Sequence, residues 1–344
     1  MKILSIAVPV YNTELYLARC LDSMIYDKRI FDDIEIIVVN DGSKDHSLLI
    51  AKQYEKRFSC IKVVDKKNGG HGSTINAALK VACGKYFRVV DSDDWLNMTE
   101  FPEYVKALKK VDADAVITDY RKEMAFDGEV ADFHFSKKLE FNKLYRLDKD
   151  ASLFGNDYFH MAATAFRTSC LRDADLVLDE KCFYVDMEFV VFPLKTVNSF
   201  VRLNFNLYRY LIGRTEQSVN MKSMFNRRAD HEKVLRKLLE FYRENDFSEV
   251  KKAFIQNIIS LMMSTHYYIF LHPIATRSAI RKELRKFDEF LKTGSSFFEI
   301  RESAARHYPM IQHIDALFFT VISIMPRRVV YRIIAAKSKR RKEK

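Results

Sequence analysis

The sequence predicts an α/β fold, in which helices flank a mostly parallel sheet and a helical extension follows at the C-terminal end. Apolar strand-like runs alternate with helical patterns over about the first 120 residues, which is typical of a parallel sheet covered on both faces. From about residue 227 onward the pattern is nearly all helical. The 344 residues include only 9 Gly and 6 Pro, where average usage gives roughly 24 and 17, so an all-β fold is disfavoured.

The strands are predicted from apolar runs that end in turn-forming residues. These runs cover residues 4–10, 34–39, 61–64, 86–90 and 115–118, with helical segments between them. After the first run, Leu17, Leu21 and Met24 recur at helical spacing on one face. We therefore expect a helix here that packs on the sheet.

The helix ends are predicted from capping residues. Ser43 is expected to cap the second helix. The third helix is expected to begin at Ser73 or Thr74 and to close at Gly84 as its C′ glycine. Pro102 falls in the first turn of a fourth helix.

Charge and composition predict three regions: residues 1–220 as the α/β domain, 221–310 as a helical annex and 311–344 as an amphipathic basic segment. Residues 327–344 contain nine Lys or Arg and one acid, which is +8 of the net +11 of the chain. Because apolar helical positions run alongside these charges, we expect this segment to bind an anionic membrane surface. A solvated, unstructured basic end is the alternative. Nucleic acid is not an expected partner, since the charge is terminal and no zinc-finger, helix-turn-helix or RNA-binding signature is present.

The cysteines and the N-terminal residues predict a cytoplasmic location. The five cysteines are odd in number and form no C-x-x-C pair, which favours reduced packing residues. No signal peptide is expected. The longest apolar runs fall below the ~18 residues of a spanning helix, so no transmembrane segment is expected.

Acidic side chains follow the predicted strands at the sheet edge where α/β proteins bind ligands. Asp41 follows the second strand, and Asp91, Asp93 and Asp94 follow the fourth. The glycines of residues 69–72 open a helix, where backbone N–H groups can meet an anion. Without a nearby lysine these carboxylates would repel a bare phosphate, so Mg²⁺ or Mn²⁺ is expected to mediate, and a nucleotide diphosphate is the implied ligand. Aspartates that merely form turns or caps are the alternative.

Several short motifs now form a recognisable ordered set. They are Val8-Pro9-Val10-Tyr11-Asn12, Val38-Val39-Asn40-Asp41-Gly42-Ser43, Asn68-Gly69-Gly70, Asn76, Gly84-Lys85-Tyr86 and Asp91-Ser92-Asp93-Asp94. Together they resemble the family 2 glycosyltransferases with the GT-A fold, closely over about residues 1–120 and more loosely to about 220. The resemblance implies an inverting, metal-dependent transfer of a sugar from a UDP-sugar to a lipid-linked saccharide acceptor. It also implies a peripheral enzyme on the inner face of a bacterial plasma membrane, in cell-surface polysaccharide or teichoic-acid biosynthesis.

The resemblance assigns the following residues to the donor nucleotide: Pro9, Tyr11, Asn12, Asp41, Asn68, Gly69, Gly70, Asp91 and Ser92. It implies that Asp41 recognises the uracil ring and Asp91 the ribose side, while Asp93 of the DxD motif binds the metal. Five further residues are weaker candidates for contacts with the donor sugar or the acceptor: His71, Asp94, Trp95, His160 and Arg214. Asp94 could instead support its loop, Trp95 could be a core anchor, and His160 and Arg214 could be packing and surface residues.

The same resemblance implies a general base in the segment Phe183-Tyr184-Val185-Asp186-Met187-Glu188-Phe189. Asp186 is the expected base and Glu188 the fallback, because the reaction needs one ionised carboxylate near the acceptor hydroxyl. An Asp186 that merely caps the following helix is the alternative. Val185 stands where the family usually has Glu. This departure keeps open a non-catalytic, membrane-bound UDP-sugar-binding partner of the same fold. A sugar-nucleotide pyrophosphorylase is the other alternative, although residues 9–12 do not form its Gly-rich basic loop.

Overall fold

The computed structural model describes residues 2–125, 128–213, 221–271, 274–294, 297 and 300. The chain divides into two units. The first comprises residues 1–214 and 247–251, and the second comprises residues 215–246 and 252–344. All five cysteines lie in the described part of the chain, and none of them forms a disulfide; four are buried and Cys83 is exposed.

Strands and helices alternate along the first unit as the apolar runs predict. The described strands are β1 Leu4–Val10, β2 Ile34–Asn40, β3 Ile61–Asp65, β4 Tyr86–Val89, β5 Trp95–Leu96, β6 Ala115–Met124, β7 Val130–Phe133, β8 Leu144–Arg146, β9 Thr164–Arg167 and β10 Ser199–Ile212. The described helices of this unit are α1 Leu17–Ile25, α2 Ser47–Arg57, α3 His71–Val81, α4 Phe101–Leu108, α5 Leu147–Asp150, α6 Thr168–Asp173 and α7 Val185–Val191. Short 3₁₀ turns cover Lys28–Ile30, Ala151–Phe154, Met161–Ala163 and Phe192–Lys195.

One sheet unites these strands in the order β3-β2-β1-β4-β9-β6-β10-β5, with β7 beside β6 and β8 beside β10. The strands from β3 to β4 run parallel to one another, as do β6 and β10. β9 lies antiparallel between β4 and β6, a position that the apolar runs did not predict. The predicted α/β class with a mostly parallel sheet is confirmed.

The central strand β1 explains the placement of the core. All seven of its residues are buried, because helices or other strands cover both of its faces. Its neighbours β2 and β4 lie on either side in parallel register, with Leu4 opposite Ile34 and Tyr86. The carboxyl ends of β1, β2 and β4 therefore meet at one edge of the sheet, which we call the donor edge.

Three predicted helix ends differ from the structure. Ser43 does not cap α2, which begins at Ser47; the Ser43 hydroxyl instead accepts a hydrogen bond from the Asn12 N–H. α3 begins at His71, so Ser73 lies inside the first turn. Gly84 is not its C′ residue, since the helix ends at Val81; a Cβ at Gly84 would lie 2.5 Å from the backbone nitrogen of Ser5.

The second unit is helical, as the pattern beyond residue 227 predicts. Its described helices are α8 Met221–Asn226, α9 Arg228–Glu244, α10 Glu249–Leu271, whose first turn belongs to the first unit, α11 Arg277–Ala279 and α12 Arg285–Leu291, with a π-turn at Ile280–Leu284. His231 and His266 stack within this unit, with ring centroids 5.2 Å apart. No helix in the described ranges is long and apolar enough to cross a membrane. The predicted basic segment 311–344 lies outside the described residues.

Candidate active site

The glycine loop at the donor edge is organised by the Asp41 carboxylate. Its Oδ1 accepts from the Gly69 N–H at 2.8 Å and its Oδ2 from the Gly70 N–H at 2.7 Å. The Lys66 ammonium also donates to Oδ1 at 2.8 Å. The side chain of Asp41 is buried, so these bonds keep a buried charge satisfied. The expectation that no lysine lies near the acidic strand ends is therefore wrong, because Lys66 is paired with Asp41.

The loops that follow β1 and β2 are joined by hydrogen bonds. Asn12 adopts a left-handed backbone, with φ 52°, and its Oδ1 accepts from the Lys44 N–H at 2.8 Å. Asn68 Nδ2 donates to the Asp41 carbonyl at 2.9 Å, which links the glycine loop to the same region. Pro9 is buried within β1, whereas the Tyr11 ring is 47% exposed beside this edge. An aromatic face is thus available where a flat heterocycle could stack.

The loop of residues 91–94, which we call the DxD loop, follows β4. Its first three side chains differ in how deeply they are buried. Asp91 and Asp93 are half-buried, while Ser92 is buried and accepts from the Thr13 hydroxyl at 3.0 Å. Arg19 donates to the Asp93 carbonyl at 3.1 Å. These contacts fix the loop backbone to the segments after β1.

Asp94 supports this loop from inside the protein. Its carboxylate is 1% exposed, and it accepts from the Tyr208 hydroxyl at 2.6 Å and from the Leu211 N–H at 2.8 Å. Burial, with the negative charges of Asp93 and Asp91, raises the pKa of Asp94 well above its ordinary value. The direct contact with sugar or acceptor that was expected of Asp94 does not fit this burial, and the supporting alternative does.

Trp95 stands beside the DxD loop with its ring covered by a cation. The Arg19 guanidinium lies 3.6 Å from the ring centroid, close enough for a cation–π interaction. Since Arg19 also bonds the Asp93 carbonyl, the pair braces the loop from one side.

His71 connects the glycine loop to the DxD loop. Its Nε2 lies 2.9 Å from Asp91 Oδ1, and both side chains are about a third exposed. Burial of the imidazole lowers the pKa of His71, but the charges of Asp91, Asp186 and Asp93 outweigh this and raise it above the ordinary value. The three carboxylates therefore favour the protonated form of His71.

Asp186 lies in the first turn of α7 and faces solvent, whereas the preceding Val185 is 1% exposed and packs in the core. Asp186, and not residue 185, therefore lies on the exposed side of the helix. Desolvation by surrounding protein atoms is the largest cause that raises the pKa of Asp186; Asp91 adds to it and His71 opposes it. An exposed carboxylate with a raised pKa, close to a ligand-binding edge, suits a general base.

Glu188 does not fit the role of an alternative base. Its side chain is 0% exposed, and its Oε2 accepts from the Asp179 N–H at 2.8 Å. This bond holds the chain that leads into α7. The carboxylate is thus turned into the protein, where an acceptor hydroxyl would not reach it.

His160 and Arg214 are the remaining residues that were predicted to contact the donor sugar or the acceptor. The His160 ring packs against four aromatic side chains, which are Tyr120, Phe133, Phe135 and Tyr158. The packing alternative for His160 is thereby supported. Arg214 lies outside the described residues.

Tyr210 lies near the predicted site carboxylates, and the motifs assigned it no role. Burial raises the pKa of its phenol, and the charges of Asp94, Asp91, Asp186 and Asp93 raise it further. Its ring is half-buried at the end of β10, so it stands among both sets of carboxylates. The sequence signal was the run Tyr208-Arg209-Tyr210, which only the pairing of β10 with β5 brings to the donor edge.

The DxD loop fits a divalent cation in its donor set. Carboxylate oxygens are the ligands that Mg²⁺ and Mn²⁺ prefer, and the charges of Asp91 and Asp93 are strong enough at this point to raise the pKa of buried Asp94. The described ranges contain no group of three or more His, Cys, Asp or Glu side chains suited to a metal. Water and a bound diphosphate would therefore supply the other ligands, as is usual for Mg²⁺.

Residues 5–173, which hold the donor edge and the DxD loop, match the family model of glycosyl transferase family 2. The chain carries a family 2 glycosyltransferase domain. The expected family is therefore confirmed for this part of the molecule. Asp186 lies beyond the matched residues, so its role depends on the geometry.

The curated relatives are glycosyltransferases that the chain matches over part of their length. The poly(ribitol-phosphate) beta-glucosyltransferase of Bacillus spizizenii is 43% identical over 99 residues, which is 28% of this chain and 16% of that protein. The glycosyltransferase GlyA of Streptococcus pneumoniae is 34% identical over 155 residues, or 45% and 21% of the two chains. The chain spans less than half the length of these relatives and of the others that rank beside them.

Solved structures extend the likeness to most of the chain at the level of fold. TarS of S. aureus, residues 1–349, superposes with a TM-score of 0.59 at 20% identity, covering 87% of this chain and 81% of that one. The same protein has been solved with UDP-GlcNAc and with UDP. The mannosyltransferase PcManGT of Pyrobaculum calidifontis, with GDP-Man and Mn²⁺, reaches a TM-score of 0.50 at 13% identity, covering 93% and 85%. The glycosyltransferase domain therefore has the expected GT-A type of fold.

Proposed function

We propose that this protein transfers a sugar from a UDP-sugar to a saccharide acceptor of a cell-surface polysaccharide or teichoic acid. The observation that carries the proposal is the meeting of the DxD loop and Asp186 around one histidine, His71. A donor held at the DxD loop would present its anomeric carbon to an acceptor activated by Asp186. The names of the matched relatives and the UDP-GlcNAc complex of TarS support the substrate class.

The donor nucleotide would lie along the glycine loop and the loop after β1. Because both Asp41 oxygens already bind the Gly69 and Gly70 N–H groups, we assign Asp41 to shaping the uracil pocket, with a contact to the base as its further expected role. Tyr11 offers a ring face to the base, and Asp91 is assigned to the ribose side.

Asp93, with Asp91 beside it, would hold Mg²⁺ or Mn²⁺ at the donor diphosphate. The cation would supply the positive charge that stabilises the departing diphosphate. The DxD loop would hold the cation. The bond between Asp94 and Tyr208, and the bond from Arg19 to the loop backbone, keep the loop in position.

Asp186 would take the proton of the acceptor hydroxyl as the oxygen attacks the anomeric carbon. A single displacement of this kind inverts the anomeric configuration. A carboxylate is an effective base only when ionised, and its raised pKa brings it closer to neutral pH, where proton transfer is favoured. His71, which bonds Asp91 and interacts electrostatically with Asp186, would reduce the repulsion between the two carboxylates.

Calorimetric titration with a panel of UDP-sugars, with and without Mn²⁺, tests the proposal. We expect Mn²⁺-dependent binding to the wild type, and a loss of at least about tenfold in affinity in Asp93→Ala, because the diphosphate then loses its counter-charge. Asp173→Ala, which removes an exposed carboxylate at the end of α6, is the matched control and should bind as the wild type does. Absence of binding to every UDP-sugar would reject the proposal.

We also propose that residues 311–344 bring the enzyme to the inner face of the plasma membrane, where a lipid-linked acceptor would lie. Each basic side chain near an anionic surface contributes about 1 kcal/mol, and residues 327–344 carry a net +8. Removing residues 312–344 should release the protein from phosphatidylserine vesicles and leave UDP affinity unchanged. Equal vesicle binding by the shortened chain would contradict this, and bound wild type should be released by added salt.

A further inference from the structure

The chain that leads into the helix of Asp186 is docked on α3. Residues 176–184, which we call the base segment, connect α6 to α7. The side-chain amide of Asn76 on α3 holds both backbone groups of Leu178: Nδ2 donates to the carbonyl at 2.9 Å, and Oδ1 accepts from the N–H at 2.9 Å. The Asn76 amide thus makes the two hydrogen bonds that a neighbouring strand would make to Leu178. These bonds fix the position of the base segment along α3.

Two glycines at the start of α3 let the backbones of α3 and of the base segment come close. A Cβ at Gly72 would clash with the Asp179 carbonyl oxygen, and a Cβ at Gly70 would lie 2.9 Å from the Lys181 nitrogen. Gly72 and Asn76 are four residues apart, so they share one face of α3. This face is therefore shaped for the base segment at two successive turns.

The base segment is also linked to the glycine loop through one residue, Gly69. The Gly69 N–H donates to Asp41, and the Gly69 carbonyl accepts from the Lys181 N–H at 2.5 Å. Lys181 and Tyr184 both adopt left-handed backbone conformations, with φ 50° and 66°, which non-glycine residues hold only where contacts enforce them. The anchored shape thus continues to Tyr184, which directly precedes α7.

We propose that Asn76 is a positioning residue that couples the glycine loop to the general base. It touches neither donor nor acceptor in this scheme; it sets the position of Asp186 relative to a donor bound at the DxD loop. The inference rests on the proposed function for its catalytic consequence, whereas the docking itself depends only on the hydrogen bonds of Leu178, Lys181 and Asn76.

Hydrogen exchange on the substrate-free protein tests the docking. In Asn76→Ala the Leu178 amide should exchange at least about tenfold faster than in the wild type, together with the neighbouring amides of the base segment. Asn76→Asp keeps the acceptor for the Leu178 N–H and should exchange at an intermediate rate. Lys80→Ala, an exposed residue of the same helix, is the control and should match the wild type. Unchanged exchange in Asn76→Ala would overturn the inference.

Kinetics with the best UDP-sugar test the catalytic consequence. We expect Asn76→Ala to keep UDP affinity and donor KM within about twofold, to lower kcat by about tenfold or more, and to shift the acid limb of the pH profile as Asp186 changes its surroundings. Partial recovery in Asn76→Asp supports positioning over general destabilisation. A wild-type kcat in Asn76→Ala would overturn the inference. If the wild type itself transfers no sugar, the proposed function fails, and the exchange measurement still decides the docking.

Discussion

The donor edge of the first unit and the interior of the second unit both bury titratable side chains, but they satisfy them differently. At the donor edge, Asp41 and Asp94 are buried with full sets of donors, which come from backbone N–H groups, a lysine and a tyrosine. In the second unit, His231 and His266 are buried against each other, with their Nδ1 atoms 3.2 Å apart, and Phe287 packs on His266. The first arrangement keeps charges in place beside a cleft, whereas the second keeps imidazoles neutral in a core.

The difference teaches which buried polar groups serve a site and which serve packing. Buried carboxylates that hold loops lie next to half-exposed ones, Asp91 and Asp93, which are left for a ligand. The buried histidines have lowered pKa values, because burial disfavours the charged form. Substitutions should therefore change activity or loop geometry in the first unit, and pH-dependent stability in the second.

The largest expected effect is on the rate of transfer, and it comes from substituting the exposed carboxylate of Asp186. Asp186→Asn should lower transfer about 10³-fold while leaving UDP affinity and stability unchanged, because it removes a base without removing a donor contact. Because the pKa of Asp186 is raised above 3.8, the wild-type rate should fall as the pH drops through that raised value. Asp173→Asn is the control for an exposed aspartate. Wild-type turnover by Asp186→Asn would move the base elsewhere.

A buried carboxylate of the donor edge should affect both stability and binding. Asp41→Ala leaves Lys66 and two backbone N–H groups without their acceptor, which should cost about 3 kcal/mol of unfolding free energy. UDP affinity should fall with it, because the glycine loop loses its support. Urea unfolding followed by the fluorescence of Trp95, the single Trp of the chain, reports on this unit. Asp41→Asn keeps one acceptor oxygen and should be intermediate; a stability equal to the wild type in both variants would contradict the assigned role.

The smallest effect is confined to pH dependence in the second unit. His231 has a pKa lowered to about 4 in the folded protein, against an ordinary 6.5, so the unfolded chain binds its proton first as the pH falls. Stability is therefore full above pH 6.5 and is lost as the pH falls from 6.5 toward 4; the loss at pH 5 is about 2 kcal/mol from this residue. Urea unfolding followed by far-ultraviolet circular dichroism, at pH 7 and pH 5, measures it. His231→Phe should lose less stability between these pH values and should bind UDP as the wild type does.

The sequence by itself determined the α/β class, the family and the order of the site motifs. Alternating apolar runs specify parallel strands, and the carboxyl ends of parallel strands must meet at one edge, so Asp41 and Asp91 through Asp94 could be assigned to one place. The helix of Asp186 could be located through the resemblance, because residues 183–189 are similar to the family's acidic segment before an apolar helix.

Only the tertiary structure decided which of these acids are exposed and what holds them. Asp94 is buried by Tyr208 and Leu211, and Asn76 is bonded to Leu178, through contacts between residues that lie about a hundred positions apart. Glu188 is buried two residues from exposed Asp186, because α7 turns its side chain inward toward the Asp179 N–H. Burial and hydrogen bonding depend on the neighbours that folding brings together, and local patterns along the chain do not reveal which residues those neighbours are.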